Sequence, residues 1–135
     1  MISKKKALII TDDSETTANL AEIITRIINK NKINGYSASI IKTEEFKGND
    51  ILPVQAFFLG CGEPQPYSFT YIEDLLAHIN LSGRRCGVFS ANSKAVKYLS
   101  GIIGTCEAVS GEPFWAKDGK TDLEELEKWI NGILI

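Results

Sequence analysis

The sequence predicts an α/β protein of three layers, with helices on both faces of a five-stranded parallel sheet of order 2-1-3-4-5. The predicted strands are nearly continuous apolar runs, which is typical of parallel strands buried on both faces. Segments with helical spacing of apolar residues alternate with these strands. The length of 135 residues and the hydrophobic content of 44% fit a single domain over residues 1–135.

The first half of the chain predicts three strands and one long helix. Ala7–Ile10 is the first strand, and apolar residues at helical spacing predict a helix over about Thr16–Asn29. Ser37–Ile41 and Val54–Leu59 are the second and third strands. The charged segment between them, Thr43–Pro53, is expected to form a weak short helix or a loop.

The second half continues the alternation of helix and strand. Apolar spacing predicts helices over Ile72–Ile79 and Val96–Ile103, with the strand Arg85–Phe89 between them. Cys106–Val109 is expected to be a short fifth strand, and Leu123–Leu134 the terminal helix.

Composition excludes several classes of partner. The net charge of −2 gives no general attraction for nucleic acid or acidic membranes. The sequence has no apolar run long enough to span a bilayer. The three cysteines are widely spaced and form no CxxC pair, which favours reduced thiols in the cytoplasm over disulfides or a zinc site. The expected partner is a redox or regulatory protein of unknown identity.

The predicted strand order places three loops at one edge of the sheet, where such folds bind ligands. They are Thr11–Thr17, Gly60–Phe69 and Ser90–Ser93. The first loop opens onto a helix N-terminus, whose N–H groups and dipole favour an anion. Its acids, Asp12, Asp13 and Glu15, have the wrong charge for that ligand.

Several segments occur in the order and spacing of a known family. An apolar strand, Leu8–Ile10, precedes a hydroxyl-bearing loop, Asp12–Thr17, with Ala21 one turn after Thr17. The other matching segments are Leu59–Cys61, Leu81–Phe89, Glu112–Phe114 and Asp122–Ile130. Over nearly its whole length, the chain resembles the flavodoxins.

The resemblance implies a flavin mononucleotide (FMN) site, with the phosphate in the first loop and the isoalloxazine ring between the second and third loops. It implies an electron carrier, whose redox chemistry belongs to the cofactor, rather than an enzyme with catalytic residues of its own. Tyr67 and Phe69 are expected either to stack on the flavin or to anchor the next helix in the core. The candidate cofactor-binding residues are Thr11, Asp12, Asp13, Ser14, Glu15, Thr16, Thr17, Gly60, Cys61, Gly62, Tyr67, Ser90, Ala91 and Asn92.

The first loop departs from the family. Ser14 and Thr17 keep hydroxyls, but Asp12 and Asp13 replace Ser, Thr or Gly, and Glu15 replaces Gly. Two unit charges 4 Å apart repel by about 4 kcal/mol at an effective dielectric constant of 20. Acids near the phosphate therefore predict a weakened or degenerate FMN site. The alternative is that the acids cap the first helix in place of an external anion.

The other two loops also differ from the family. Pro64 and Pro66 remove two N–H donors from the second loop, close to Gly62. The third loop lacks an aromatic residue, and Asn92 and Ser93 are expected to be N-caps.

Two further classes of function stay open on the sequence. One is a flavin-free binding or regulatory module of the same fold. The other is a degenerate phosphoreceiver, because Asp12-Asp13-Ser14 resembles the paired acids of receiver domains. Those domains carry a phosphorylatable Asp after the third strand, where this chain has Gly60-Cys61.

Overall fold

A computed structural model of the chain describes residues 5–135. The sheet order is β2-β1-β3-β4-β5, with a further short strand, β6, also paired to β4. All strand pairs are parallel, so the predicted class and strand order are confirmed. The strands are β1 (Lys5–Thr11), β2 (Tyr36–Lys42), β3 (Ala56–Gly60), β4 (Arg85–Ser90), β5 (Val109–Ser110) and β6 (Phe114–Trp115).

The helices begin and end close to the predicted positions. The segment expected to be a weak helix or a loop contains the four-residue helix α2. Short 3-10 turns occupy Ile33–Gly35, Tyr67–Phe69 and Lys117–Gly119. The helices are α1 (Glu15–Asn31), α2 (Gly48–Ile51), α3 (Thr70–His78), α4 (Ser93–Ile103) and α5 (Leu123–Ile133).

The sheet divides the core into two halves. Alternate residues of β3 point to opposite faces, so Phe58 packs with α1 and α5 whereas Phe57 and Leu59 pack with α3 and α4. Every residue of β3 is buried. Burial on both faces explains the continuous apolar sequences of β1, β3 and β4, whereas the edge strand β2 is largely exposed.

The predicted fifth strand, Cys106–Val109, is wrong in its position. Cys106 lies in the turn after α4 and packs its side chain in the core, while pairing with β4 begins at Val109. The partner of β4 is divided in two, because β5 pairs with its start and β6 pairs with Phe89 and Ser90. The apolar character of Cys106 thus reflects core packing rather than a strand.

A glycine at the end of β3 lets the ring of Phe89 pack against the backbone next to the second loop. Gly60 lies directly over the ring of Phe89 in β4, and a Cβ at this position would overlap that ring. This close contact between β3 and β4 lies at the point where the second loop leaves the sheet.

Within residues 5–135, no helix is long and apolar enough to cross a membrane.

Candidate functional site

The three loops expected to form the site meet at the carboxyl ends of β1, β3 and β4. β3 pairs with both β1 and β4, so the second loop lies between the other two. The backbone N–H of Asp12 donates to the carbonyl oxygen of Gly60 at 3.2 Å, which continues the sheet pairing beyond the strand ends. The site is therefore built on the central strands of the sheet.

The carboxylate of Asp12 joins the first loop to the second. It is nearly buried, with 7% of the residue exposed. Oδ1 accepts hydrogen bonds from the backbone N–H of Ser14 at 3.2 Å and from the Ser14 hydroxyl at 2.6 Å. Oδ2 accepts the backbone N–H of Gly62 at 2.9 Å. The side chain that sequence reasoning assigned to a cofactor or a cap thus bonds to protein groups in two loops.

Gly62 permits this arrangement because it has no side chain. A Cβ at Gly62 would lie 2.5 Å from Oγ of Ser14 and 2.6 Å from its Cβ. Any other residue here would displace Ser14 from the Asp12 carboxylate.

Two polar side chains of the third loop bond to the second loop. The Ser90 hydroxyl donates to the carbonyl oxygen of Cys61 at 2.5 Å, and the Asn92 amide donates to that of Gly62 at 3.3 Å. Asn92 also accepts the N–H of Lys94 and so caps α4, as predicted. Ser93 is the first residue of α4 rather than its N-cap. These contacts hold together the two loops between which the resemblance places the flavin ring.

The N-terminus of α1 contains an unsatisfied polar group. Thr17 is 1% exposed, and its hydroxyl oxygen is the one buried side-chain N or O atom in residues 5–135 without a hydrogen-bond partner. This oxygen lies 3.7 Å from the position that a Cβ at Gly62 would take. Ser14, the N-cap, gives the first turn no side-chain hydrogen bond within the part of the chain that the structure describes.

The remaining acids of the first loop face solvent. Asp13 forms an ion pair with Lys42 of β2 at 3.1 Å. Hydrogen bonding to Glu44 and the charge of Lys42 lower the pKa of Asp13, and the nearby Asp13 raises the pKa of Glu44. Glu15 is exposed in the first turn of α1. Neither carboxylate caps the first turn of α1 directly, because Asp12 bonds to Ser14 and Gly62 and Asp13 pairs with Lys42.

A cavity of about 490 Å³ opens between the first and second loops. Four carboxylates line it, from Asp12, Asp13, Glu44 and Glu63. Glu44 comes from the loop after β2, which sequence reasoning did not assign to the site. That loop follows a parallel strand beside β1, so its carboxyl end reaches the same edge.

The two aromatic residues of the second loop have opposite environments. Phe69 is fully buried and contacts Tyr98 edge to face, so it anchors α3 in the core. Tyr67 is 94% exposed and lies at the rim of the acidic cavity. Trp115 of β6 is half-exposed and donates its indole N–H to the carbonyl oxygen of Ala91 in the third loop.

The candidate nucleophiles and metal ligands show no reactive arrangement. Cys61 is buried, and burial together with the charge of Asp12 raises the pKa of its thiol to about 12, so it stays protonated at neutral pH. His78 is exposed on α3 beside Asp74. Across residues 5–135, no group of three or more His, Cys, Asp and Glu side chains is placed to hold a metal ion.

Comparisons with known proteins bear on the fold. No protein-family model and no curated protein sequence matches the chain. Its structure is similar to that of a Streptococcus pneumoniae TIGR4 flavodoxin, with a TM-score of 0.81 and 17% identity over 95% of this chain and 97% of the other. It is equally similar to a short-chain flavodoxin associated with a non-canonical PDU bacterial microcompartment, with a TM-score of 0.82, 14% identity and 96% of both chains covered.

A flavodoxin from the domain Archaea gives a TM-score of 0.74 at 15% identity, over 96% of both chains. The molecule is thus a doubly wound α/β protein with its loop cluster at the switch point between β1 and β3. More particularly, its fold is that of the flavodoxins, and the structural similarity covers nearly the whole chain.

The residues at the site do not fit FMN in the arrangement observed. The N–H groups of Ser14 and Gly62 are already bonded to a carboxylate, and the second and third loops are bonded to each other. Two features would suit the cofactor, namely the hydroxyl of Thr17, which has no partner among residues 5–135, and the exposed ring of Tyr67. A phosphate and a flavin ring would each have to displace protein contacts.

Proposed function

We propose that this chain is a flavodoxin-like protein with a degenerate FMN site, which binds flavin weakly and gains no affinity from the phosphate. The observation that supports the proposal is that the three loops bond to one another through Asp12, Ser90 and Asn92. A ligand in this place competes with contacts that the protein makes to itself.

The cost of that competition is large on the scale of cofactor binding. A net hydrogen bond to a charged group contributes about 1.5–3 kcal/mol, and Asp12 accepts bonds from two residues. A nanomolar dissociation constant corresponds to about 12 kcal/mol, and each 1.4 kcal/mol changes it tenfold. Losing about 4 kcal/mol therefore moves a nanomolar site into the micromolar range, even before the acids repel the phosphate.

The affinity decides what role in electron transfer the protein can have. Flavin supplies the redox chemistry when it is bound, and the protein only binds and tunes it. A carrier with a micromolar site exchanges its flavin with solution between encounters. We propose that any electron transfer depends on the free flavin concentration, in the cytoplasmic setting that three unpaired cysteines favour.

A flavin-free binding or regulatory module of the same fold is the second candidate. The observation that favours it is the pair of hydrogen bonds from Ser90 and Asn92, which join the two loops between which the resemblance implies the flavin ring. A phosphoreceiver has less support, because β3 ends in Gly60-Cys61 and offers no carboxylate there. Incubation with Mg²⁺ and a small phosphodonor is expected to give no phosphoprotein.

A flavin titration tests the proposal. The purified protein is examined for a visible flavin band, then titrated with FMN and with riboflavin while flavin fluorescence is followed. We expect no stoichiometric flavin, and dissociation constants for both ligands that are micromolar and similar. The Asp122→Asn variant, which removes a carboxylate at the N-terminus of α5 outside the three loops, is titrated in parallel as a control. It is expected to bind both flavins as the wild type does.

Two outcomes contradict the proposal in different ways. Nanomolar binding of FMN, with riboflavin much weaker, would show an intact phosphate site and overturn it. Failure of both flavins to bind at high micromolar concentration would favour the flavin-free module instead.

A further inference from the structure

We infer that the Asp12 carboxylate is an internal anion that excludes phosphate-bearing ligands, and that it covers a closed phosphate site formed by Ser14, Thr17 and Gly62. The inference rests on the proposed function and deepens it, because it assigns the choice against phosphate to a single residue. Asp12 is thus a specificity-determining residue.

The first argument is the set of donors that Asp12 uses. Its two oxygens accept two backbone N–H groups and one hydroxyl, all beside the N-terminus of α1. Backbone N–H groups at a helix N-terminus, with a hydroxyl among them, are the donors that proteins generally offer to phosphate oxygens. The protein's own carboxylate therefore takes the place that an external anion would occupy.

The second argument is independent of the acids. Only 1% of the surface of Thr17 is exposed, yet its hydroxyl has no hydrogen-bond partner among the described residues. Buried polar side chains are nearly always hydrogen-bonded, so an exception asks for an explanation. The oxygen lies 3.7 Å from the position that a Cβ at Gly62 would take, and the Ser14 side chain approaches the same position. The Thr17 hydroxyl would become a fourth donor if the Asp12 carboxylate left and an anion entered.

The third argument separates Asp12 from its neighbour. Asp13 has a side chain that is 53% exposed and paired with Lys42, so solvent and a cation screen its charge. Asp12 is nearly buried and holds the donors directly. Removing either aspartate changes the net charge equally, but only removal of Asp12 frees the donors.

Inorganic phosphate is the first probe, because it tests the site without requiring room for a flavin ring. The melting temperature is measured against phosphate concentration, with chloride at matched ionic strength as the reference. Because a ligand that binds the folded state raises the melting temperature, Asp12→Ser is expected to melt progressively higher with phosphate. The wild type and Asp13→Asn are expected to show no phosphate-specific rise.

The second probe is the pair FMN and riboflavin, followed by flavin fluorescence. Asp12→Ser is expected to bind FMN at least tenfold more tightly than the wild type does, with riboflavin binding unchanged. Adding Thr17→Val to Asp12→Ser is expected to cancel the response to phosphate and the gain for FMN.

The inference is overturned if Asp12→Ser shows no phosphate-specific rise in melting temperature, or if Asp13→Asn shows an equal one. Should Asp12→Ser not fold, Asp12→Asn removes the charge with nearly the same shape, and the same two outcomes decide. Tight FMN binding by the wild type would instead contradict the proposed function. A wild type that binds weakly, with unresponsive Asp12 variants, would contradict this inference alone.

Discussion

Asp122 and Asp12 both lie next to a helix N-terminus and have different roles. Asp122 is the N-cap of α5, and its carboxylate accepts the N–H groups of Glu124 and Glu125 at 3.0 and 3.3 Å. Asp12 precedes the N-cap of α1 by two residues and bonds across to Gly62, fifty positions further along the chain. One carboxylate completes its own helix, and the other connects two loops.

The difference shows that closeness to a helix N-terminus does not define what an acid does. The N-termini of α4 and α5 are closed by side chains of the capping residues themselves. At α1, the hydroxyl of Ser14 turns towards Asp12, and the hydroxyl of Thr17 is left without a partner in the described chain. The caps of α4 and α5 thus bond to their own helices, whereas α1 keeps at the loop cluster a Thr17 hydroxyl with no partner among residues 5–135.

Replacing Asp12 by Ala is expected to have the largest effect on stability. It removes a nearly buried acceptor and leaves the N–H of Gly62 without its partner, which costs roughly 3 kcal/mol of unfolding free energy. Urea denaturation measures the loss, and amide exchange is expected to accelerate at Ser14 and Gly62. A loss smaller than that of Asp122→Ala would mean that the loop contact does not stabilise the fold.

Replacing Asp122 by Ala is expected to cost about 1 kcal/mol, the usual value for an N-cap. Exchange is expected to accelerate at Glu124 and Glu125 while Gly62 is unchanged, since the capped N–H groups belong to α5. Asp122→Asn is the control, because Asn caps as well as Asp. An equal loss in both variants would show that charge, not capping, is the contribution.

Replacing Thr17 by Val is expected to change stability in the opposite direction. The substitution removes a buried hydroxyl that has no partner within residues 5–135, and relief of that desolvation raises the unfolding free energy by about 1 kcal/mol. The urea midpoint measures the gain. A loss of stability would indicate that the hydroxyl is hydrogen-bonded in solution and would weaken the case for a closed phosphate site.

The smallest expected effect concerns Glu44 and its dependence on pH. The neighbouring Asp13 raises the pKa of Glu44 above its ordinary value of 4.5, so the folded state binds this proton more tightly than the unfolded state does. Stability from this group is present at low pH and is lost as the pH rises through the raised pKa. Glu44→Gln is therefore expected to melt higher than the wild type at pH 7.

The difference in melting temperature between Glu44→Gln and the wild type is expected to disappear below about pH 4.5, where Glu44 itself is neutral. Asp13 has the opposite effect on stability, because its pKa in the folded state is lowered from the ordinary value of 3.8. The stability that it contributes is present above pH 3.8 and is lost as the pH falls through the lowered pKa. Glu45→Gln on the same loop is the control. An equal rise in both variants would assign the effect to net charge.

Most of the fold followed from local patterns in the sequence. Continuous apolar runs predicted β1, β3 and β4, and helical spacing predicted α1, α3, α4 and α5 close to their ends. The segment Ser37–Ile41 predicted β2, although it mixes polar and apolar residues. The error at Cys106–Val109 has a physical cause, since β5 and β6 have two residues each and are too short to show a period. Cys106 packs its side chain in the core without belonging to a strand, and the sequence alone does not distinguish a core residue in a turn from a residue of a paired strand.

The site was predictable only as a set of loops. Their meeting follows from strand order, and Asn92 as a cap follows from its residue type. The bond from Asp12 to Gly62 depends on the direction of one backbone N–H across two loops, which no local pattern encodes. Likewise, which of Tyr67 and Phe69 enters the core depends on how the 3-10 turn between them faces the sheet.

The edge of the sheet beside β4 is divided between β5 and β6, and this division has a consequence for association between chains. A parallel sheet has two free edges, and a long free edge can accept a strand from another molecule. The β2 edge presents seven residues, with Ile40 partly exposed. At the other edge, β5 and β6 present two residues each, at opposite ends of β4. Growth of a fibril by strand addition needs both edges of each chain, so the interrupted edge limits this fold to adding a strand at β2.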